Sequence, residues 1–320
     1  LLEVVAMDTH ERLDGPALGA IAVALLTWSS AYAAIAYALP AFTAGQVAFG
    51  RLLIGSICFA LLLAVKRVPM PSRRDWPLVA LLGVIGMTVY HLCLCIAETR
   101  IASGTAAILI SLVPAATTAV SAIWLGERLS ARALLGLLVA LAGVVLVVLA
   151  SGKQVKFEPM AALVLVCVAC SAIFFVRQKP LFARSSMLGV TAATFFAGTL
   201  AALPFSLPGL QQHVVAASAG RWMALLWLGI APTFVGYIAW NTALKRAPAS
   251  QVSSFIYLSP PIAVLIGWLW LDERPTALTL LGGAITLGGV VLTNWKRKPA
   301  AAVAPAALAD SGLESSAAES

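Results

Sequence analysis

The segment from Trp76 to Leu146 occurs twice. Shifted by about 146 residues, it falls on Trp222 to Leu292 without a gap, and self-similarity at a fixed period constrains the architecture before any local pattern does. Gly83 meets Gly229, Ala97 meets Ala243, Arg100 meets Arg246 and Pro114 meets Pro260. Trp124-Leu125-x-Glu127-Arg128 meets Trp270-Leu271-x-Glu273-Arg274, Leu134-Leu135-Gly136 meets Leu280-Leu281-Gly282, and Gly143-Val144-Val145-Leu146 meets Gly289-Val290-Val291-Leu292. Shared Leu and Ala follow from composition alone. Shared Trp, Pro, Glu, Arg and Gly in one register do not, so the unit is duplicated.

Composition decides the solvent. The chain is 61% hydrophobic and 11% charged over 320 residues, against roughly a quarter charged in a soluble domain. It reads as an all-α integral membrane protein. A hydrocarbon core of about 30 Å takes about 20 apolar residues per helix, and ten transmembrane helices are expected near 17–37, 43–65, 77–97, 102–124, 131–150, 159–177, 187–207, 222–243, 248–271 and 276–295. Residues 17–150 and 159–295 are then two five-helix repeats. Residues 1–16 form a cytoplasmic N-terminal segment without the pattern of a cleavable signal. Residues 299–320, Ala/Pro/Ser-rich with Asp310, Glu314 and Glu319, are expected to be a disordered cytoplasmic tail.

A net charge of +8 would suggest nucleic acid as the partner of a soluble protein. Here the basic residues collect at helix ends and report orientation. About fifteen Lys and Arg, among them Lys66, Arg67, Arg73, Arg74, Arg184, Lys245 and Arg246, fall on one side, and about five (Arg100, Lys153, Lys156, Arg221, Arg274) on the other. The positive-inside rule puts both termini in the cytoplasm. Five is odd, so the second repeat enters the membrane inverted, with Arg100 outside and Arg246 inside. Inverted repeats around a midplane site are a recurrent plan of secondary transporters. The expected partners are a small-molecule solute and the lipid bilayer, and no nucleic acid.

Trp28-Ser-Ser-Ala-Tyr32 on helix 1 matches Cys170-Ser-Ala-Ile-Phe174 on helix 6 at a slightly different offset. Two five-helix halves, each with a proline-bearing fourth helix ending in W-L-x-E-R and a fifth carrying L-L-G-x6-G-V-V-L, resemble the drug/metabolite transporter superfamily, EamA type. The resemblance covers nearly the whole chain to about Lys298. It implies movement of amino acids, other metabolites or drugs across the cytoplasmic membrane, often outward.

Polar groups inside spans mark function first, because hydrocarbon disfavours them. His91, Cys95 and Glu98 share one face of helix 3. His91 is the candidate for proton coupling, since imidazole titrates near neutral pH; an interhelical hydrogen bond is the other reading. Glu98 is expected to pair with Arg100 at the interface. Arg51, about 12 Å into helix 2, either holds a solute carboxylate bidentately or braces helix carbonyls. Ser111 leads into Pro114 on helix 4, and Ser253 and Tyr257 lead into Pro260 on helix 9. A proline inside a span frees a carbonyl one turn earlier, and broken helices occur where backbone faces a cavity. These two helices are the expected wall of the pathway. Trp28 and Tyr32 on helix 1, with Tyr237, Trp240 and Asn241 on helix 8, complete the expected lining.

Glu127-Arg128 and Glu273-Arg274 close the fourth helix of each half and read as structural, each Glu pairing with a basic neighbour and fixing the turn. Gly136 and Gly143, with Gly282 and Gly289, recur on one helix face and permit close packing, within the chain or in a homodimer. Cys167-x-x-Cys170 lacks a second ligand pair, so the cysteines read as small buried hydrophobes, and no metal or cofactor is expected. No G-x4-G-K-[ST] loop serves a pump, and no H-E-x-x-H or Ser/His constellation inside the spans serves an enzyme. The expectation is a non-enzymatic exporter working by alternating access with proton antiport. Facilitative uptake is the alternative, and a membrane-embedded enzyme a weaker one.

Overall fold

Local capping sets where the first helices begin. The Asp14 carboxylate accepts from Ala17 N at 2.8 Å with Pro16 in the first turn, where a missing N–H is harmless, so α1 (Gly15–Ala38) starts slightly ahead of the hydrophobic run. Thr43 and Gln46 form a reciprocal capping box that opens α2 (Ala44–Lys66). Arg67 ends α2 in the left-handed region at φ 51°. The computed structural model describes residues 14–117, 120, 131–150, 159–246, 252 and 255–294, and within them the chain is helical with no strand.

The third helix, α3 (Arg73–Ala97), is followed by α4 (Ser103–Thr117), α5 (Ala131–Ala150), α6 (Pro159–Phe182) and α7 (Met187–Ser206). A short helix, Leu210–Ala216, leads into α8, which runs through Ala219–Leu228, Gly229–Val235 and Gly236–Arg246. The last two are α9 (Ser259–Leu271) and α10 (Ala277–Asn294). Six of these helices, α1 to α3 and α6 to α8, are long and apolar enough to cross a membrane, while α4, α5, α9 and α10 carry shorter apolar runs. Their outward side chains are apolar too: Leu61, Val65, Leu200 and Leu269 are 63–82% exposed. A continuous apolar exterior of this kind belongs in lipid.

Four elements differ from the sequence reading. Helix α6 does not stop at Arg177 but continues through Pro180 to Phe182. Within the expected span 248–271 Val252 is helical, Phe255–Leu258 form a 3-10 turn, and the α-helix Ser259–Leu271 follows that turn. Pro260 therefore sits in the first turn of α9, where it breaks no hydrogen bond, rather than kinking a helix interior. Finally, α3 and α8 each widen into a π-helix, Val84–Val89 and Gly229–Val235, at positions that correspond in the repeat.

Three repeat-equivalent pairs, α2 with α7, α4 with α9 and α5 with α10, pack antiparallel. A Cβ on Gly45, at the start of α2, would meet the backbone of Phe205 near the end of α7, and one on Gly189, at the start of α7, would meet the Pro69 carbonyl just past α2. Ser103, at the start of α4, bonds to Glu273 beyond the end of α9. In the fifth pair, Gly143 faces Thr286 and Gly282, and Gly289 faces Ala140 and Gly136. The glycine face is thus consumed inside the chain, where α5 and α10 come into backbone contact. The helices cross-pack likewise: α1 lies against α8 and α9, and α6 against α3 and α4.

This pairing fixes two ends of the bundle. Asp14 meets Arg246 at 2.7 Å, and Asp75 meets Arg184 at 2.8 Å, which defines one end. At the other end the Arg221 guanidinium lies over the Tyr37 ring at 4.1 Å, and Ser103 meets Glu273. Helix α3 runs from Asp75 toward the Ser103 end and α8 from Arg221 toward the Asp14 end. Arg100 and Arg246, matched in the repeat, lie at opposite ends.

Candidate functional site

A cavity opens where the two halves meet, with about 690 Å³ of unfilled space, its mouth included. Its aromatic walls are Trp28 and Tyr32 from α1, Tyr90 from α3, Phe175 from α6 and Tyr237 from α8; its polar groups are Arg51, His91, Ser171 and Ser259. Leu25, Leu94, Ile110, Val113 and Ile256 fill the remainder. Few convergent polar groups among apolar and aromatic walls are the usual make-up of a small-molecule site.

The π-helical segments hold this site in shape. The Thr233 hydroxyl, itself donating to Leu228 O at 2.7 Å, accepts from Arg51 Nε at 3.2 Å. Pro232 O accepts from Trp28 Nε1 at 3.0 Å. Met87 O lies 2.7 Å from His91 Nδ1; the carbonyl accepts only, so Nδ1 carries hydrogen and Nε2 of a neutral ring is left as an acceptor. Wide turns offset backbone carbonyls from their i→i−4 donors, and two of these three anchors are such carbonyls. Arg51 is buried, yet no carboxylate among the described residues pairs with it.

Of the expected lining, Trp28, Tyr32, Arg51, His91 and Tyr237 meet at the cavity. Trp240 stands behind it, 1% exposed and packed on Trp28 with ring centroids 5.0 Å apart and the planes tilted by 42°. Asn241 points to the neighbouring helix, donating to Thr191 Oγ1 at 3.0 Å. Ser111 donates back to Ile108 O. Helix α4 breaks at Ser111 and Leu112, one turn before Pro114, and Ile110 and Val113 beside the break line the cavity. Pro260 is buried in α9; the backbone of Tyr257 lies on the turn before it. Ser253, Glu127 and Arg128 fall outside the described residues. Tyr90, Phe175, Ser171, Ser259 and Thr233 went unnoticed in the sequence, although Gly86 and Pro232, matched in the repeat, fall in the two wide turns.

The EamA-like transporter family model matches residues 16–149 and again 159–295. The chain belongs to the EamA-like transporter family. It is 31% identical over 278 residues to a probable terminal-alkyne amino-acid exporter of Streptantibioticus cattleyicolor, covering 87% of this chain and 93% of that one. The pseudopaline exporter CntI of Pseudomonas aeruginosa is 27% identical over 277 residues, 86% of this chain and 95% of the other. A solved crystal structure shares the fold, with a TM-score of 0.58 at 22% identity over 88% of this chain and 96% of its own. This EamA-like chain is a multi-pass membrane transporter.

Two motifs of this EamA-like chain differ from expectation. Glu273 does not pair with Arg274, which meets Asp272 at 3.3 Å in the open. Its carboxylate instead accepts from Ser103 N at 3.0 Å and Ser103 Oγ at 2.5 Å, so it caps α4 from the other half, with the favourable sign for a helix N-terminus. Glu98 makes no pair with Arg100. It is 6% exposed, and both of its oxygens are buried without a hydrogen-bond partner in the protein. Burial pushes this carboxyl, which stands just past α3, well above the usual carboxylate range; nearby Glu273 adds to the push and Arg51 opposes it.

Proposed function

We propose that this EamA-like protein is a secondary exporter of small carboxylate-bearing solutes, amino acids foremost, working by alternating access between two inverted five-helix halves with proton antiport. In this reading all ten helices span the membrane and both termini are cytoplasmic, as the distribution of Lys and Arg favours. The observation that carries the solute class is Arg51: a buried guanidinium on an aromatic cavity wall, tethered through Nε and unpaired by any carboxylate among the described residues. Arg presents a planar fork that fits a carboxylate. The names of the two exporters above, one for an amino acid, support an organic solute moved outward. His91 then offers Nε2 to a donor on the solute, and Trp28, Tyr32 and Tyr237 enclose its apolar part.

Proteoliposomes loaded with a panel of labelled L-amino acids, matched amines and amides, test this reading. Exchange should be restricted to carboxylate-bearing compounds. Arg51→Ala should weaken half-saturation by about 10- to 150-fold, the loss of about 1.5–3 kcal/mol from a charge-assisted contact, and Arg51→Lys should lie between. Equal exchange of the amides, or an unaltered Arg51→Ala, would defeat the assignment.

A further inference from the structure

Glu98 is a buried carboxyl that the cavity and the helix packing leave unused. An ionised carboxylate alone in a low-dielectric interior is disfavoured by several kcal/mol or more, and such a group neutralises instead. With both oxygens buried and unpartnered, Glu98 holds a proton in this conformation.

Its position gives that proton a route. Glu98 lies two turns beyond His91 on the same helix face, hence about 10 Å closer to the Ser103 end of the bundle. Arg51 of α2, which lines the cavity, and Glu273, which follows α9 and holds Ser103, both act on its charge. Tyr32 of α1 and Cys95 of α3 complete its titratable surroundings. Glu273 is only half-buried, and it borders a second hollow with Ala102, Thr105 and Pro275. From the Ser103 end inward, the order is a partly open carboxylate clasped to Ser103, a dry acid, and then the cavity with the guanidinium of Arg51, which no described carboxylate pairs.

We propose that Glu98 is the proton-exchange site of the transporter, gated by the clasp between Ser103 and Glu273. This deepens the exporter reading above and rests on it. With the clasp parted, water reaches the Glu98 carboxylate, which takes a proton from hydronium; one O–H bond forms and one water molecule is left. Neutral Glu98 then fits the dry space and the clasp closes over it. When the cavity opens to the Asp14 end, the O–H bond breaks, the proton leaves on water there, and water solvates the carboxylate. One proton moves inward per turn and no other reactant is needed.

Infrared difference spectroscopy on the reconstituted full chain, in solute-free buffer, tests the site independently of any solute. A protonated-carboxyl C=O band should persist at neutral pH, vanish in Glu98→Gln, return in Glu98→Asp, and titrate at lower pH in Glu273→Gln. No such band in the native chain, the same band in Glu98→Gln, or a band displaced by sodium would overturn the proposal. In vesicles exchanging an amino acid, Glu98→Gln should keep solute-for-solute exchange and lose its acceleration by a pH gradient. Acceleration surviving in Glu98→Gln would move the coupling elsewhere, His91 first, and overturn it as well. If no amino acid exchanges at all, the carboxylate-solute reading fails while the infrared arm still decides the protonation of Glu98.

Discussion

At the scale of single residues, two of the buried ionisable groups of the first half, Arg51 and Glu98, play opposite parts. Arg51 is placed to meet a solute carboxylate, whereas Glu98 gives up its charge to stay buried. The sign of the resulting pH dependence follows. Between the ordinary carboxylate range and the raised value of Glu98, the folded chain binds a proton that the unfolded chain has released, so stability falls as pH rises. The contribution is complete below the ordinary range and is lost as pH climbs through the raised value. Glu98→Gln fixes the neutral form. Thermal unfolding in detergent across a pH series should therefore show a flatter curve for Glu98→Gln, with the variant the more stable at alkaline pH. Parallel curves would mean that Glu98 is not neutral in the fold.

At the scale of elements, the tightest contact is that of α5 with α10. A Cβ on Gly143 would lie 2.7 Å from the Gly282 carbonyl and meet the Thr286 backbone, and one on Gly289 would lie 2.7 Å from the Gly136 carbonyl. Backbone atoms cannot turn aside as a long side chain does. Gly143→Leu should separate the two helices and destabilise by about 1–3 kcal/mol or more, lowering the unfolding temperature in detergent; an unchanged midpoint would show that the contact is dispensable. The repeat announced this pair, since glycine recurring on one face has a single steric meaning, though not which partner it would meet. The broken α4 was legible for a like reason: Pro114 cannot donate to Ile110. The wide turns in α3 and α8 were not legible. A π-helix adds one residue without changing the hydrophobic pattern enough to be seen, yet it decides where the carbonyls of Met87 and Pro232 point. Glu98 was misjudged from its neighbour Arg100, because sequence adjacency at a helix end does not reveal that the following turn folds the acid inward while Arg100 stays exposed.

At the scale of the whole molecule, inversion makes a topological prediction. Single cysteines at Arg100 and Arg246, in a chain freed of its native cysteines, should label from opposite sides of sealed vesicles; labelling from one side would contradict the antiparallel pairing of α2 with α7 and of α5 with α10. The frame is twofold, but its ionic furniture is lopsided. Arg51, His91 and Glu98 all belong to the first half, and His91 has Tyr237, Glu98 has Leu244, as its counterpart. A symmetric scaffold with unsymmetric charge has two end conformations of unequal energy. Such a carrier idles on its preferred side, and whatever it carries must supply the difference on each return stroke.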